Sequence, residues 1–177
     1  MQQFCTSNNW QFCFIGGIAV QRWAEPRFTE DVDITLLTGF ENEESYISAL
    51  LAEFQPRRLD AAAFALEYRV LLLRDPSGVG IDISLGGLPF EARVIARASP
   101  FAFDAHCVIT VCSAEDLIVQ KAFANRPQDW VDIETVLRRQ HNNIDRIQVL
   151  EELLPLAELK EDEAIVSQLK KLFTRWP

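Results

Sequence analysis

The segment FIGGIAVQRWAEPRFTEDVDITLL, residues 14–37, decides the reading of this chain. An apolar run meets two glycines, and a second apolar run opens on Asp31-Val32-Asp33. Residues 11–15 predict a strand, and Gly16-Gly17 turn it into a short helix from Ile18 to about Ala24. Glu25-Pro26 ends that helix, because a residue before proline is pushed out of the helical region. Residues 31–37 predict the next strand. Side chains at i and i+2 of a strand share a face, so Asp31 and Asp33 stand side by side. Two adjacent carboxylates repel, and one takes up a proton unless a cation lies between them. A divalent ion removes that penalty. Magnesium suits the pattern, since it is hard, uses few carboxylates and completes its shell with water and phosphate oxygens.

Glycines where a strand becomes a helix let the backbone approach a ligand closely, and the first N–H groups of the helix are free to hold phosphate. Thirteen residues separate Gly17 from Asp31, enough for one short helix and a return into the neighbouring strand. The phosphate cradle and the carboxylates then face one cleft. Taken singly, each feature has a plainer reading: a turn chosen for sterics, or a solvated strand edge. A third acid adds weight. Asp82 lies in GIDIS, an apolar strand in which an unpaired charge is costly. RVLLLRD (69–75) and GVGIDISLG (78–86) flank the turn signal DPSG and predict a hairpin. Pairing of those strands brings Asp82 beside Asp31 and Asp33, and clustered carboxylates in a cleft mark a site. The plainer alternative pairs Asp82 with Arg69 or Arg74.

Outward from this centre, Tyr46, Ile47, Leu50, Leu51 and Phe54 give residues 43–55 helical spacing. Residues 92–98 and 106–111 read as strands. Beyond them only helices are predicted, over about 113–124, 128–140, 143–157 and 162–174. The first of these opens on a capping pattern, Ser113 with Asp116 three residues later. The chain therefore divides into a mixed sheet domain, 1–112, and a helical C-terminal subdomain, 113–177, packed on it: an α+β protein.

With 177 residues, about half of them apolar, the chain has material for a substantial core. Its net charge of −9 speaks against a broad basic surface gripping nucleic acid. Arg57, Arg58, Arg69, Arg74, Arg93 and Arg97 nonetheless offer a local basic patch. No apolar run reaches membrane-spanning length, and the opening residues lack the pattern of a signal peptide. Cys5, Cys13, Cys107 and Cys112 include no Cys-x-x-Cys pair and read as buried or half-buried thiols in a reducing cytoplasm. Strand alternation puts Cys107 and Cys112 on opposite faces, which argues against zinc shared with His106.

Gly-Gly, about a dozen residues, Asp-x-Asp and a later strand-borne Asp together resemble the DNA polymerase β-type nucleotidyltransferase superfamily. RFTEDVDI (27–34) is similar to the R-x-T-x-D-hydrophobic-D signature of its small bacterial branch. EDLIVQKAFANRPQDWVDIETVL (115–137) resembles that branch's later motif: a helical lysine, an arginine-bearing loop and Asp-x-x-Asp opening the next helix. The branch includes AbiEii-type abortive-infection toxins, toxin–antitoxin nucleotidyltransferases, and lincosamide and aminoglycoside nucleotidyltransferases. The resemblance spans roughly Phe12 to Leu137, and Gly17 stands where many members carry serine.

The resemblance implies the nucleotidyltransferase fold, a mixed β-sheet flanked by helices and followed by a helical subdomain. It implies transfer of a nucleoside monophosphate from an NTP, with ATP among the candidates, to a hydroxyl of RNA, protein or a small molecule. Asp31 and Asp33 would bind both of two Mg2+ ions, and Asp82 would bind one and take the acceptor proton. Gly16 and Gly17 would hold the triphosphate. Arg27, Lys121, Asp129 and Asp132 become candidates for nucleotide contact, although a structural clasp among Lys121, Arg126 and the two aspartates reads equally well. By resemblance the role is that of a toxin–antitoxin or phage-defence toxin with a cognate antitoxin. The alternatives are an antibiotic-modifying transferase, a phosphotransferase on the same scaffold, and a non-catalytic nucleotide- or partner-binding module.

Overall fold

The structure, a computed structural model, describes residues 1–176. The chain forms two compact units, one of Met1–Ile18 with Phe28–Cys112, the other of Ala19–Arg27 with the residues from Ser113 onward. Residues 19–27, which sequence spacing assigns to the sheet domain, thus belong with the helical unit.

The first unit is built on a seven-stranded mixed sheet of order β3-β4-β5-β2-β1-β7-β6. Its strands are β1 (Phe12–Phe14), β2 (Asp31–Leu37), β3 (Gln55–Pro56), β4 (Val70–Arg74), β5 (Gly80–Gly86), β6 (Ser99–Ala102) and β7 (Val108–Val111). β2 pairs with β5 in parallel and β1 meets β7 in parallel; the remaining neighbours are antiparallel. The predicted hairpin of β4 and β5 is present, with Leu72 opposite Asp82. Ile34 and Leu36 of β2, Leu71 and Leu73 of β4, and Ile81, Ile83 and Leu85 of β5 are buried. Alternation therefore sends the apolar residues of the central strands to the core and leaves Asp31, Asp33 and Asp82 on the opposite face.

Helices α1 (Gln2–Ser7), α3 (Glu43–Glu53), α4 (Ala61–Tyr68) and α5 (Pro89–Arg97) complete this unit, and α2 (Gly16–Trp23) begins in it. Residues 92–98, expected as a strand, lie within or at the end of α5. Two local devices decide the matter. Pro89 occupies the first turn, where its missing N–H costs nothing, and the Glu91 carboxylate accepts the Leu88 N–H at 2.7 Å. Phe90 and Val94, four apart, bury one stripe, and the helix packs on β2 and β1. Of the thiols, Cys5, Cys13 and Cys112 are buried but Cys107 is exposed, and among the described residues they form no disulfide.

The second unit holds α6 (Ala114–Ala124), α7 (Pro127–Gln140), a 3-10 turn (His141–Asn143), α8 (Arg146–Lys160) and α9 (Ala164–Arg175). The predicted cap is present: Ser113 Oγ accepts the Asp116 N–H at 3.0 Å. Leu117, Ile118, Ile133, Leu153 and Ile165 are fully buried and form its core. Residues 19–27 are tied into this unit through their own backbone. Gln140 donates to the Trp23 carbonyl at 2.8 Å, and Arg139 donates to the Ala24 carbonyl. Among the described residues no helix is long and apolar enough to cross a membrane.

Candidate active site

The parallel pairing of β2 with β5 sets Asp33 directly opposite Asp82 and Asp31 opposite Gly80. Residues opposite one another in a sheet share a face, so the three acids meet on one surface. The row extends further. Leu72 lies opposite Asp82, and the N–H of Arg57, the residue after β3, bonds the Leu72 carbonyl at 3.0 Å. Arg57, just beyond β3, therefore lies in one line with Leu72, Asp82 and Asp33 of β4, β5 and β2. The Arg57 guanidinium pairs with Asp31 at 3.5 Å and also with Asp82. The partner of Asp82 is thus Arg57, not Arg69 or Arg74. Arg69 instead pairs with Glu43 and donates to the Leu85 and Gly39 carbonyls. Arg58 is bound to Asp60, so Arg57, Arg58 and Arg69, all expected in a basic patch, pair with acids of this unit instead.

Glycines create the room for this arrangement. Gly80 has Asp31 across from it, and a Cβ there would overlap the Asp31 carboxylate and lie 3.0 Å from Arg57 Nη1. Its role was not legible in sequence, because only the strand register reveals its neighbour. Gly16, at φ +54°, would drive a Cβ into the Asp33 carboxylate. The Gly17 N–H donates to Asp33 Oδ2 at 3.2 Å, and a Cβ on Gly17 would come within 2.8 Å of Thr29 Cβ. The glycine pair thus brings the start of α2 against the second aspartate. Gly39 supplies a control: its φ is +71° and nothing lies within 4 Å of its missing Cβ. Gly39→Ala should meet only the left-handed backbone cost of about 1–2 kcal/mol. Gly16→Ala meets that cost and a collision with Asp33, so its melting temperature should fall further and its transfer activity should drop. Paired thermal melts and rate assays check both.

Among the described residues no three His, Cys, Asp or Glu side chains are already gathered into a metal cage. The chemistry of the donor set nevertheless fits a hard divalent cation. All three groups are carboxylates, they share a face, and glycines flank two of them. A positive charge, that of Arg57, already stands against two of them.

In the second unit, Lys121, Asp129, Asp132, Arg27 and Arg126 form one ion cluster. Lys121 Nζ donates to Asp129 Oδ1 at 3.1 Å and to Asp132 Oδ2 at 2.6 Å. Arg27 binds Asp132 through two parallel hydrogen bonds of 2.9 and 2.8 Å, and Gln128 adds a third donor at 3.1 Å. Arg126 reaches back to Asp129 at 2.7 Å. Lys121 and both aspartates are buried, whereas the Arg27 side chain is 37% exposed. Lys121 is therefore not the solvated helix lysine that is the usual default.

Burial by itself would raise the Asp132 carboxyl, but hydrogen bonds from Arg27 and Lys121 outweigh it and hold the group at about 2, against an ordinary 3.8. Asp129 is lowered too, with burial opposed by Arg126 and Lys121. Carboxyls depressed on folding stabilise the folded chain fully above their unfolded value and lose that contribution as pH falls through the folded one. Asp132 alone contributes about 2 kcal/mol. Denaturant unfolding should therefore show stability draining between about pH 4 and pH 2, and Asp132→Asn should flatten that slope.

The fold of the chain is shared with solved structures. Its fold is that of an antigenic nucleotidyltransferase-like protein from Paracoccidioides brasiliensis (TM-score 0.51, 15% identity, covering 92% of this chain and 86% of that one). It is shared equally with the antibiotic-resistance factor ANT(2'')-Ia (TM-score 0.52, 16% identity, covering 96% and 92%). No curated protein matches the sequence. The sequence profile of the nucleotidyl transferase AbiEii toxin family, type IV TA system, matches residues 7–175, and the chain belongs to that family.

Proposed function

We propose that the chain uses a divalent cation, Mg2+, to move a nucleoside monophosphate from an NTP to a hydroxyl acceptor, as the toxin of a toxin–antitoxin pair. The observation that carries this reading is the register that sets Asp33 against Asp82 and, two residues away, Asp31 against Gly80. Asp31, Asp33 and Asp82 would hold the metal. When bound, it supplies Lewis-acid stabilisation of the attacking and leaving oxygens in an in-line displacement. Asp82 takes the proton of the acceptor hydroxyl as that oxygen joins the α-phosphorus and pyrophosphate departs. Gly16 and Gly17, at the start of α2, would orient the triphosphate through backbone N–H groups, the Gly17 N–H exchanging the Asp33 carboxylate for a phosphate oxygen. The family motif also supports nucleotide contact for Arg27, Lys121, Asp129 and Asp132. Of these, Arg27 has the most exposed side chain and is paired with the buried Asp132, so it is the one expected to make the contact.

The acceptor is the open term, and the net charge of −9 weighs against a long polynucleotide held by the surface of this chain alone. Incubation with Mg2+ and each α-labelled NTP, offered total RNA, cellular protein and hydroxylated small molecules in separate arms, tests the reading. Label in one arm is expected, with a mass gain of a nucleotidyl rather than a phosphoryl group. The reading fails if no arm is labelled, or if Asp31→Ala labels as well as the natural chain. An adjacent open reading frame encoding a small regulator that suppresses toxicity would support the toxin role.

A further inference from the structure

We infer that Arg57 is a resident counter-ion that competes with the divalent cation for Asp31 and Asp82. This rests on the metal reading above and deepens it. Three observations carry it. First, the hydrogen bond from the Arg57 N–H to Leu72 places the residue in the same cross-strand row as Asp82 and Asp33, so its side chain rises on the acidic face. Second, its guanidinium meets a carboxylate on each of two neighbouring strands, Asp31 at 3.5 Å and Asp82. Third, among the described residues its buried Nε has no hydrogen-bond partner, so its fork is not fully anchored by hydrogen bonds.

A guanidinium anchored for its own sake would be expected to satisfy its donors, because buried polar groups are almost always paired. This one is held by charge. Three carboxylates on one face repel, and without a cation the sheet would carry that repulsion into the folded state. Arg57 relieves it in the metal-free chain. The same pairing means that an incoming divalent ion must displace a positive charge before Asp31 and Asp82 can both ligate it. Gly80 makes this possible by leaving space over which Asp31 and Arg57 Nη1 meet. Arg57 is accordingly a positioning residue that sets the metal affinity of the site and keeps the empty site stable.

Mn2+ binding to the full chain without nucleotide, read by electron paramagnetic resonance of the free ion, tests this in the natural chain, Arg57→Gln, Arg57→Lys and Asp33→Asn. Arg57→Gln should bind Mn2+ about tenfold tighter, the equivalent of roughly 1.4 kcal/mol. Arg57→Lys, which keeps the charge without the fork, should fall between it and the natural chain. Without metal, Arg57→Gln should melt below the natural chain and gain more on Mn2+ addition, because ligands that bind only the folded state stabilise it by mass action. Equal or weaker Mn2+ affinity in both Arg57 variants, with the natural chain binding and Asp33→Asn not, overturns the role of Arg57 and leaves the metal site standing. Absence of Mn2+ binding in every variant, Arg57→Gln included, overturns the metal reading and the inference with it. If Arg57→Gln does not fold, Arg57→Lys decides on the same criterion.

Discussion

Asp33→Asn should lose nucleotidyl transfer by about 10^3-fold or more while the chain keeps its fold, since a metal-holding carboxylate carries several kcal/mol of transition-state stabilisation. Asp33 is the acid to test first because it is the centre of the arrangement. It shares a face with Asp31 two residues away, lies opposite Asp82 across the sheet, and receives the Gly17 N–H at 3.2 Å. Asparagine keeps the size and still accepts that hydrogen bond, so the substitution removes charge and little else. Like charges on one face oppose folding, and the melting temperature should therefore hold or rise. Rates of labelled transfer and thermal melts, taken on the same preparation, separate the two effects. Loss of activity with a collapsed melt would mean that Asp33 serves the fold instead.

Lys121→Met should be the most destabilising single change in the helical unit, by about 3 kcal/mol. Removing one partner of a buried ion pair leaves the other charge uncompensated. Lys121 Nζ touches both Asp129 and Asp132, at 3.1 and 2.6 Å. Arg27 would still pair with Asp132, and Arg126 with Asp129. Total stabilities run to about 5–15 kcal/mol, so such a loss is easily read from denaturant unfolding. The double variant Lys121→Met, Asp132→Asn should recover part of it, because the two residues interact directly. If Lys121→Met unfolds like the natural chain, the cluster is not what holds α6 to α7. A surviving fold with impaired NTP binding would then support direct contact of Lys121 with nucleotide.

The sequence made the centre of this protein legible because strand periodicity is strict. Asp-x-Asp can share a face in only one way, and the DPSG turn made β4 and β5 a hairpin that carries Asp82 toward β2. The helical half was equally plain, since caps such as Ser113 announce themselves. Where the reading failed, a local pattern had two meanings. ARVIARA alternates like a strand, yet Leu88-Pro89 with Glu91 three residues past Leu88 is a helix start that settles the case. Residues 61–68, AAAFALEY, rich in alanine, follow intrinsic propensity rather than a clear apolar period and form α4. Arg57 was legible only as one arginine among six. It follows a two-residue strand, and nothing short of the sheet register places it beside Asp82. Likewise the ion cluster joins Arg27 to Asp132 across 105 positions, a distance that no local pattern spans.

The central claim is that Asp31, Asp33 and Asp82 together hold the divalent cation on which nucleotidyl transfer depends. The most direct measurement is an anomalous difference map from crystals of the natural chain grown with Mn2+ and a non-hydrolysable NTP. The account predicts manganese peaks ligated by all three carboxylates, with the Arg57 guanidinium withdrawn from Asp31 and Asp82. Manganese bound elsewhere, or bound nucleotide with Arg57 still paired to both acids, would contradict it.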